Sequence, residues 1–174
     1  MKERLYEILL SDDIEKSIND NLDYLIQLIP ELKSIIGFNQ NHPHHHLDLF
    51  EHTMLVLKNT ECDFELRMSA LLHDIGKPFC YVIGEDKVNH YPNHGEKSFE
   101  ISSRILKRLG IENERILYLI RYHDEEIDLS KINDKSLEIK RLKLQYADSL
   151  AHHPSTVNKR INKLNLIKDK LFII

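Results

Sequence analysis

The stretch Ser69-Ala70-Leu71-Leu72-His73-Asp74-Ile75-Gly76-Lys77-Pro78 decides how the chain is read. An apolar run ends there in an imidazole beside a carboxylate, followed by Gly, Lys and Pro. Met68, Leu71, Leu72 and Ile75 recur at helical spacing, and Gly76 and Pro78 are helix-stop signals. The pattern therefore predicts a helix whose last turn carries His73 and Asp74. Adjacent helical residues diverge by about 100°, yet side chains of different reach can meet one ion at a helix end. A neutral imidazole and a carboxylate suit a borderline or hard divalent metal. Taken alone, the dipeptide reads equally well as a capped helix end with a surface ion pair.

Working outward, similar groups recur. His52 lies in Leu49-Phe50-Glu51-His52-Thr53-Met54-Leu55, His94 follows a short loop, His123-Asp124 ends another apolar helix, and Asp148 sits in Tyr146-Ala147-Asp148-Ser149-Leu150. Each has an ordinary reading: His52 as a hydrogen-bonded core histidine, His123 as a cation favoured by a helix dipole. Asp148 fits least well, since an unpaired carboxylate on an apolar helix is costly. The order H…HD…H…HD…D resembles the HD-domain superfamily of metal-dependent phosphohydrolases. The wording Gly37-Phe38-Asn39-Gln40-Asn41, then Leu47-Asp48-Leu49-Phe50-Glu51-His52-Thr53, then Leu72 to Pro78, is similar to the HD domain attached to bacterial CCA-adding tRNA nucleotidyltransferases. That likeness runs from about Gly37 to Ser149. The nucleotidyltransferase head is expected to be absent, because its Gly-Ser and paired-carboxylate signature is missing.

The flanking segments read as packing elements. Leu5, Ile8, Leu9 and then Ile14 to Ile29 predict two amphipathic helices, with Ser11-Asp12-Asp13 supplying N-cap chemistry between them. Pro30 starts a short helical segment that Gly37 closes. Asn39 to His46 is a polar loop with four histidines, read as a source of opportunistic metal affinity and left out of the ligand set. Asp63 caps the helix leading to His73. Tyr81-Val82-Ile83 and Val88-Asn89-His90-Tyr91 flank a turn and predict a small hairpin that covers the site and places His94. Asn93 is read as the N-cap of the helix that follows, which Gly110 ends. Glu125 to Asp134 is a charged connection with solvated acids. His152 and His153 are assigned a surface or helix-end role. Val157, Ile161, Leu164, Ile167 and Leu171 form a stripe that closes the bundle, and Leu171-Phe172-Ile173-Ile174 offers a surface for self-association.

Composition sets further bounds. With 174 residues, five Gly and five Pro, a single domain is expected: residues 1–36 as packing helices, 37–153 as the core around the site, 154–174 as a terminal helix. A net charge of −4 argues against extended nucleic-acid binding, which relies on a basic face. Cys62 and Cys80 form no CxxC pair and suit reduced cytosolic thiols. No stretch approaches about 18 consecutive apolar residues and the amino terminus carries no leader pattern, so a cytoplasmic protein without a membrane span is expected.

Carried onto matching positions, the resemblance implies an all-α HD bundle with at most a minor hairpin. It makes His52, His73, Asp74 and Asp148 primary metal ligands, with Asp74 able to bridge to a second ion held by His94 and His123. It implies a divalent, binuclear cofactor of Fe, Mn, Co, Ni or Zn, and hydrolysis of a phosphate ester of a nucleotide or small metabolite by a metal-bound hydroxide. Lys77 is the expected phosphate contact, and Asp124 the expected proton acceptor or partner to a ligand histidine. The spacing also resembles the small diadenosine-tetraphosphate hydrolases. Two other classes share the pattern: HD-fold di-iron oxygenases such as myo-inositol oxygenase, and a non-catalytic module that binds tRNA or a partner.

Overall fold

The computed structural model describes residues 2–44 and 46–173, so His45 of the histidine loop and Ile174 of the terminal apolar run lie outside the described residues. Among the described residues the chain is all-α, with nine α-helices and one two-stranded antiparallel hairpin, as the periodicity predicts.

The amino-terminal segment forms α1 (Lys2–Leu9), α2 (Ile14–Asp20) and α3 (Leu22–Leu28), three helices where periodicity predicts two. The extra break falls at Asn21. Its side-chain amide donates to Ser17 O at 2.8 Å and its backbone N–H to Ile18 O at 3.1 Å, so a short polar side chain competes for the groups that would continue the helix. Asp13 caps α2 through Lys16 N at 3.0 Å. A 3-10 turn over Pro30–Ser34 follows, and Gly37 leaves it at φ +70°.

The centre is built from α4 (Leu49–Asn59), α5 (Phe64–Leu72), α7 (Glu114–Arg121) and α8 (Lys135–Leu150), with α4 against α5 and α8, and α5 against α7. Asp48 starts α4 with a reciprocal cap: its carboxylate accepts from Glu51 N at 2.8 Å, and Glu51 accepts from Asp48 N at 2.9 Å. Leu49, Val56, Leu57, Met68, Leu72, Ile116, Leu119 and Leu144 are all fully buried between these helices. Each such side chain stabilises the fold by about 1.5–3 kcal/mol.

Helix α6 (His94–Leu109) lies on α7 and ends at Gly110, φ +65°. Asn93 holds the N-cap position of α6 but does not cap it, contrary to expectation. Its φ of 54° is left-handed and its side chain makes no cap hydrogen bond; Tyr91 O instead accepts from the His94 N–H at 3.3 Å. Strands β1 (Val82–Ile83) and β2 (Asn89–His90) pair with Val82 opposite His90, and Asn89 N–H ties the hairpin to Asn41 O at 3.0 Å. Helix α9 (Pro154–Ile173) packs on α8 through a second apolar cluster, Leu164, Ile167 and Leu171 against Ile127 and Leu142. Among the described residues no helix is long and apolar enough to cross a membrane.

Candidate metal centre

Five elements converge on one buried point. His52 comes from α4, His73 and Asp74 from the turn after α5, His94 from the first residue of α6, His123 from the turn after α7, and Asp148 from the last turn of α8. His73 and Asp74 thus lie just beyond the regular helix rather than in its last turn. The reason is local: His73 Nδ1 reaches back to Ala70 O at 2.8 Å and satisfies a carbonyl left open at the helix end. Gly76 acts differently from a left-handed stop, with φ −80°. A Cβ there would sit 2.5 Å from Ser98 N, so Gly76 lets α6 lie directly on this turn, and its N–H donates to Ser98 Oγ at 3.0 Å.

Two groups of possible donors meet at one carboxylate. His52 Nε2 lies 3.1 Å from Asp148 Oδ1 and 3.6 Å from Asp74 Oδ2, and His73 Nε2 lies 3.2 Å from Asp74 Oδ2 and 3.8 Å from Asp148 Oδ1. On the other side Asp74 Oδ1 faces His123 Nε2 at 3.4 Å and His94 Nε2 at 3.5 Å. The donor atoms of His52, His73 and Asp74, and those of Asp74, His94 and His123, each lie within 4.8 Å of one another.

The second nitrogen of each ring explains why these groups fit a cation. Nδ1 of His52, His73, His94 and His123 approaches Ala151 O, Ala70 O, Tyr91 O and Ile120 O at 3.3, 2.8, 3.1 and 2.7 Å. A carbonyl only accepts, so the network assigns the proton to Nδ1 and the lone pair to Nε2. Yet Nε2 faces Nε2 at 3.4 Å in the His52–His73 pair and at 3.2 Å in the His94–His123 pair. Two lone pairs at that separation repel unless a proton or metal ion lies near both. Asp74 Oδ1 is buried and has no hydrogen-bond partner, which a cation would also satisfy. The donor set fits divalent ions of the first transition series.

Charge is arranged to keep both carboxylates ionised. Burial opposes this, but His73 and Lys77 hold Asp74 well below the usual carboxylate range, and His152, His52 and His73 do the same for Asp148. Burial lowers His94, despite Asp74. Burial also works against a charged His123, but Asp74 more than offsets it and the imidazole rises above its ordinary value. Lys77 Nζ is buried, 2.7 Å from Asp74 Oδ2 and 3.1 Å from Gln40 Oε1, with the Tyr91 ring centroid at 5.3 Å.

Above the centre opens a cleft of about 230 Å³ lined by Lys77, Tyr91, His94, His152, Arg160 and others. His42 and His44 of the histidine loop also line it. Asp124 stands at its rim with an exposed side chain, 3.8 Å from Arg160 Nη2, apart from the convergent groups. His152 does occupy a helix end as expected, with Nδ1 2.8 Å from Asp148 O, but it is buried, and its ring centroid is 5.6 Å from that of His52. The sequence pattern gives Arg160 no part in the site, and Gln40 only a place in the family wording without a role.

The family model described as HD domain matches residues 49–160, from the start of α4 into α9. The chain belongs to the HD domain family. HD domains are mostly metal-dependent hydrolases and bind divalent metals, which agrees with the donor geometry above. This HD domain is 31% identical over 134 residues to an A-adding tRNA nucleotidyltransferase of Deinococcus radiodurans, covering 71% of this chain and 31% of that protein. It is 29% identical over 141 residues to a CC-adding tRNA nucleotidyltransferase of Thermus thermophilus, covering 73% of this chain and 32% of that protein. The chain thus spans about a third of the length of these curated relatives. No solved structure matches it significantly.

Proposed function

We propose that this HD domain is a phosphohydrolase with a binuclear divalent centre, acting on a phosphate ester of a nucleotide or small phosphorylated metabolite. The observation that carries the reading is the position of Asp74. One oxygen faces His52 and His73 and the other faces His94 and His123, the arrangement of a carboxylate shared by two ions. His52, His73, Asp74 and Asp148 would hold one ion, and Asp74, His94 and His123 the second. Bound there, such ions neutralise phosphoryl oxygens and lower the pKa of a coordinated water.

The chain's own side chains supply the rest. Lys77 is the phosphate contact: its ammonium lines the cleft and is aimed by Asp74, Gln40 and the face of Tyr91. Asp124, exposed at the rim, is the group available to take a proton from water entering the cleft. Ring nitrogens fixed through backbone carbonyls keep their lone pairs aimed without reorganisation.

A panel of nucleoside monophosphates, 2′,3′-cyclic nucleotides, diadenosine polyphosphates and an aryl phosphate, each with several metals, tests the reading. Turnover that Asp74→Ala abolishes is expected; no turnover by wild type on any member with any metal refutes it. Anaerobic turnover separates this chemistry from a di-iron oxygenase. The similarity to two tRNA-adding enzymes favours one second reading, a module that binds tRNA without turnover. Saturable tRNA binding by a protein inactive on the whole panel would select it.

A further inference from the structure

The apolar stripe of α9 that packs on α8 is Leu164, Ile167 and Leu171. One turn earlier, the same stripe carries Arg160. Its guanidinium donates from Nη2 to Asp148 Oδ2 at 3.0 Å and from Nε to Ser149 Oγ at 3.2 Å. Asp148 is therefore divided between two tasks. Oδ1 points at His52 and His73, while Oδ2 is held from behind by an arginine anchored through a separate apolar cluster.

Resting on the binuclear reading above, we propose that Arg160 is a positioning residue for the ligand Asp148, fixing the rotamer that aims Oδ1 at the first ion. With Arg160 against it the carboxylate side chain is only 6% exposed, so the guanidinium rather than bulk solvent is what holds Oδ2. Without that donor, Oδ2 would compete with Oδ1 for the cation and the carboxylate would be free to turn about its terminal bond. Asp74 also carries a cation, Lys77, but at 2.7 Å from Oδ2, the same oxygen that faces His52 and His73. The two differ in origin: Lys77 is three residues from its partner, and Arg160 arrives from another helix. The terminal helix thereby sets a ligand on α8, so packing of α9 and metal affinity are coupled.

Manganese titration of metal-stripped protein, followed calorimetrically without substrate, tests this. Arg160→Gln is expected to weaken one of the two sites, the one that includes Asp148, by about 10–100-fold, and Arg160→Lys by less. Lys163→Gln, one turn away in an exposed pair with Glu126, serves as the control and leaves affinity unchanged. In an Asp148→Asn background Arg160→Gln should have little further effect, because the residue acts through that carboxylate. Wild-type affinity in Arg160→Gln, or an equal loss with and without Asp148, overturns the assignment while leaving the metal centre intact. If wild type binds none of manganese, iron, cobalt, nickel or zinc, the reading of the centre itself falls, and the role of Arg160 with it.

Discussion

Replacing Lys77 by Met removes a buried cation while keeping most of its volume, and its cost should depend on whether metal is bound. Lys77 and Asp74 side chains are 6% and 2% exposed, so solvent screens their 2.7 Å contact very little. Breaking a buried pair from one side costs about 3–5 kcal/mol because a charge is left uncompensated. The lower end applies here, since His123, whose Nε2 lies 3.4 Å from the Asp74 carboxylate and whose proton affinity Asp74 raises, can still carry a compensating charge. For a chain of this size, about 3 kcal/mol corresponds to roughly 6–12 °C in melting temperature. Metal-stripped Lys77→Met should therefore melt about that much below metal-stripped wild type. With manganese saturating both proteins, ions take over the neutralisation of Asp74 and the gap should shrink to less than half. Circular dichroism melts with chelator and with excess manganese measure both gaps. Equal gaps in the two conditions would refute the claim that Asp74 is a metal ligand, and no gap in chelator would refute the claim that Lys77 compensates it.

Asp74→Ala should reduce metal content from two ions to none, whereas His94→Ala should leave one; elemental analysis of protein without an affinity tag distinguishes them, and equal loss in both would mean that the sites are not separable. Away from the centre, Lys140 Nζ bridges Asp63 at 2.7 Å and Glu65 at 2.8 Å. Burial opposes their ionisation, but Lys140 holds both carboxyls below their ordinary values of 3.8 and 4.5. Their contribution is therefore full above those values and is lost as pH falls through the lowered ones. Lys140→Met should cost about 1 kcal/mol or less at neutral pH, because the groups are partly exposed, and the difference from wild type should close as pH drops below about 4. Urea unfolding of both proteins from pH 7 to pH 3 gives the difference, and a gap that widens on acidification would be inconsistent with this ion network.

Helix positions were legible because long apolar stripes have only one sensible burial, as in α6 and α8. The break at Asn21 was not, since it depends on a side chain outcompeting the backbone for hydrogen bonds. In the site, side chains within a few residues of an apolar helix end could be picked out by order. Arg160 could not, nor could the role of Gln40: their partners Asp148 and Lys77 lie 12 and 37 residues away in the chain. The two His-Asp pairs are more instructive. Both histidines bond back to the carbonyl three residues earlier, so the imidazoles are placed alike. The aspartates part company. Asp74 is followed by Gly76, over which α6 closes, and by Lys77, which meets the buried charge. Asp124 is followed by Glu125 and Glu126, with neither a close-packing glycine nor a cation at the third position, and its carboxylate faces solvent. The residues after the dipeptide, rather than the dipeptide, decide which carboxylate turns inward.

The same pairing explains how the centre can be buried at all. Asp74 and Asp148 are two negative charges, each with its own cation, Lys77 and Arg160, on Oδ2. Asp74, Asp148, Lys77 and Arg160 together carry no net charge, so the metal-free protein can fold around them without an unpaired carboxylate in its core. Two divalent ions would then add their charge in excess, at the floor of a cleft whose remaining walls include Lys77 and three imidazoles, those of His42, His44 and His152. An acidic chain of net charge −4 would thus hold a local positive field in this cleft. Such a field favours a compact phosphorylated group over an extended polyanion. Raising salt should accordingly weaken binding of a nucleoside monophosphate and of a long RNA to a similar small extent, because both would engage the centre through one or two phosphates. A steep salt dependence for RNA alone would require a second basic surface and contradict this account.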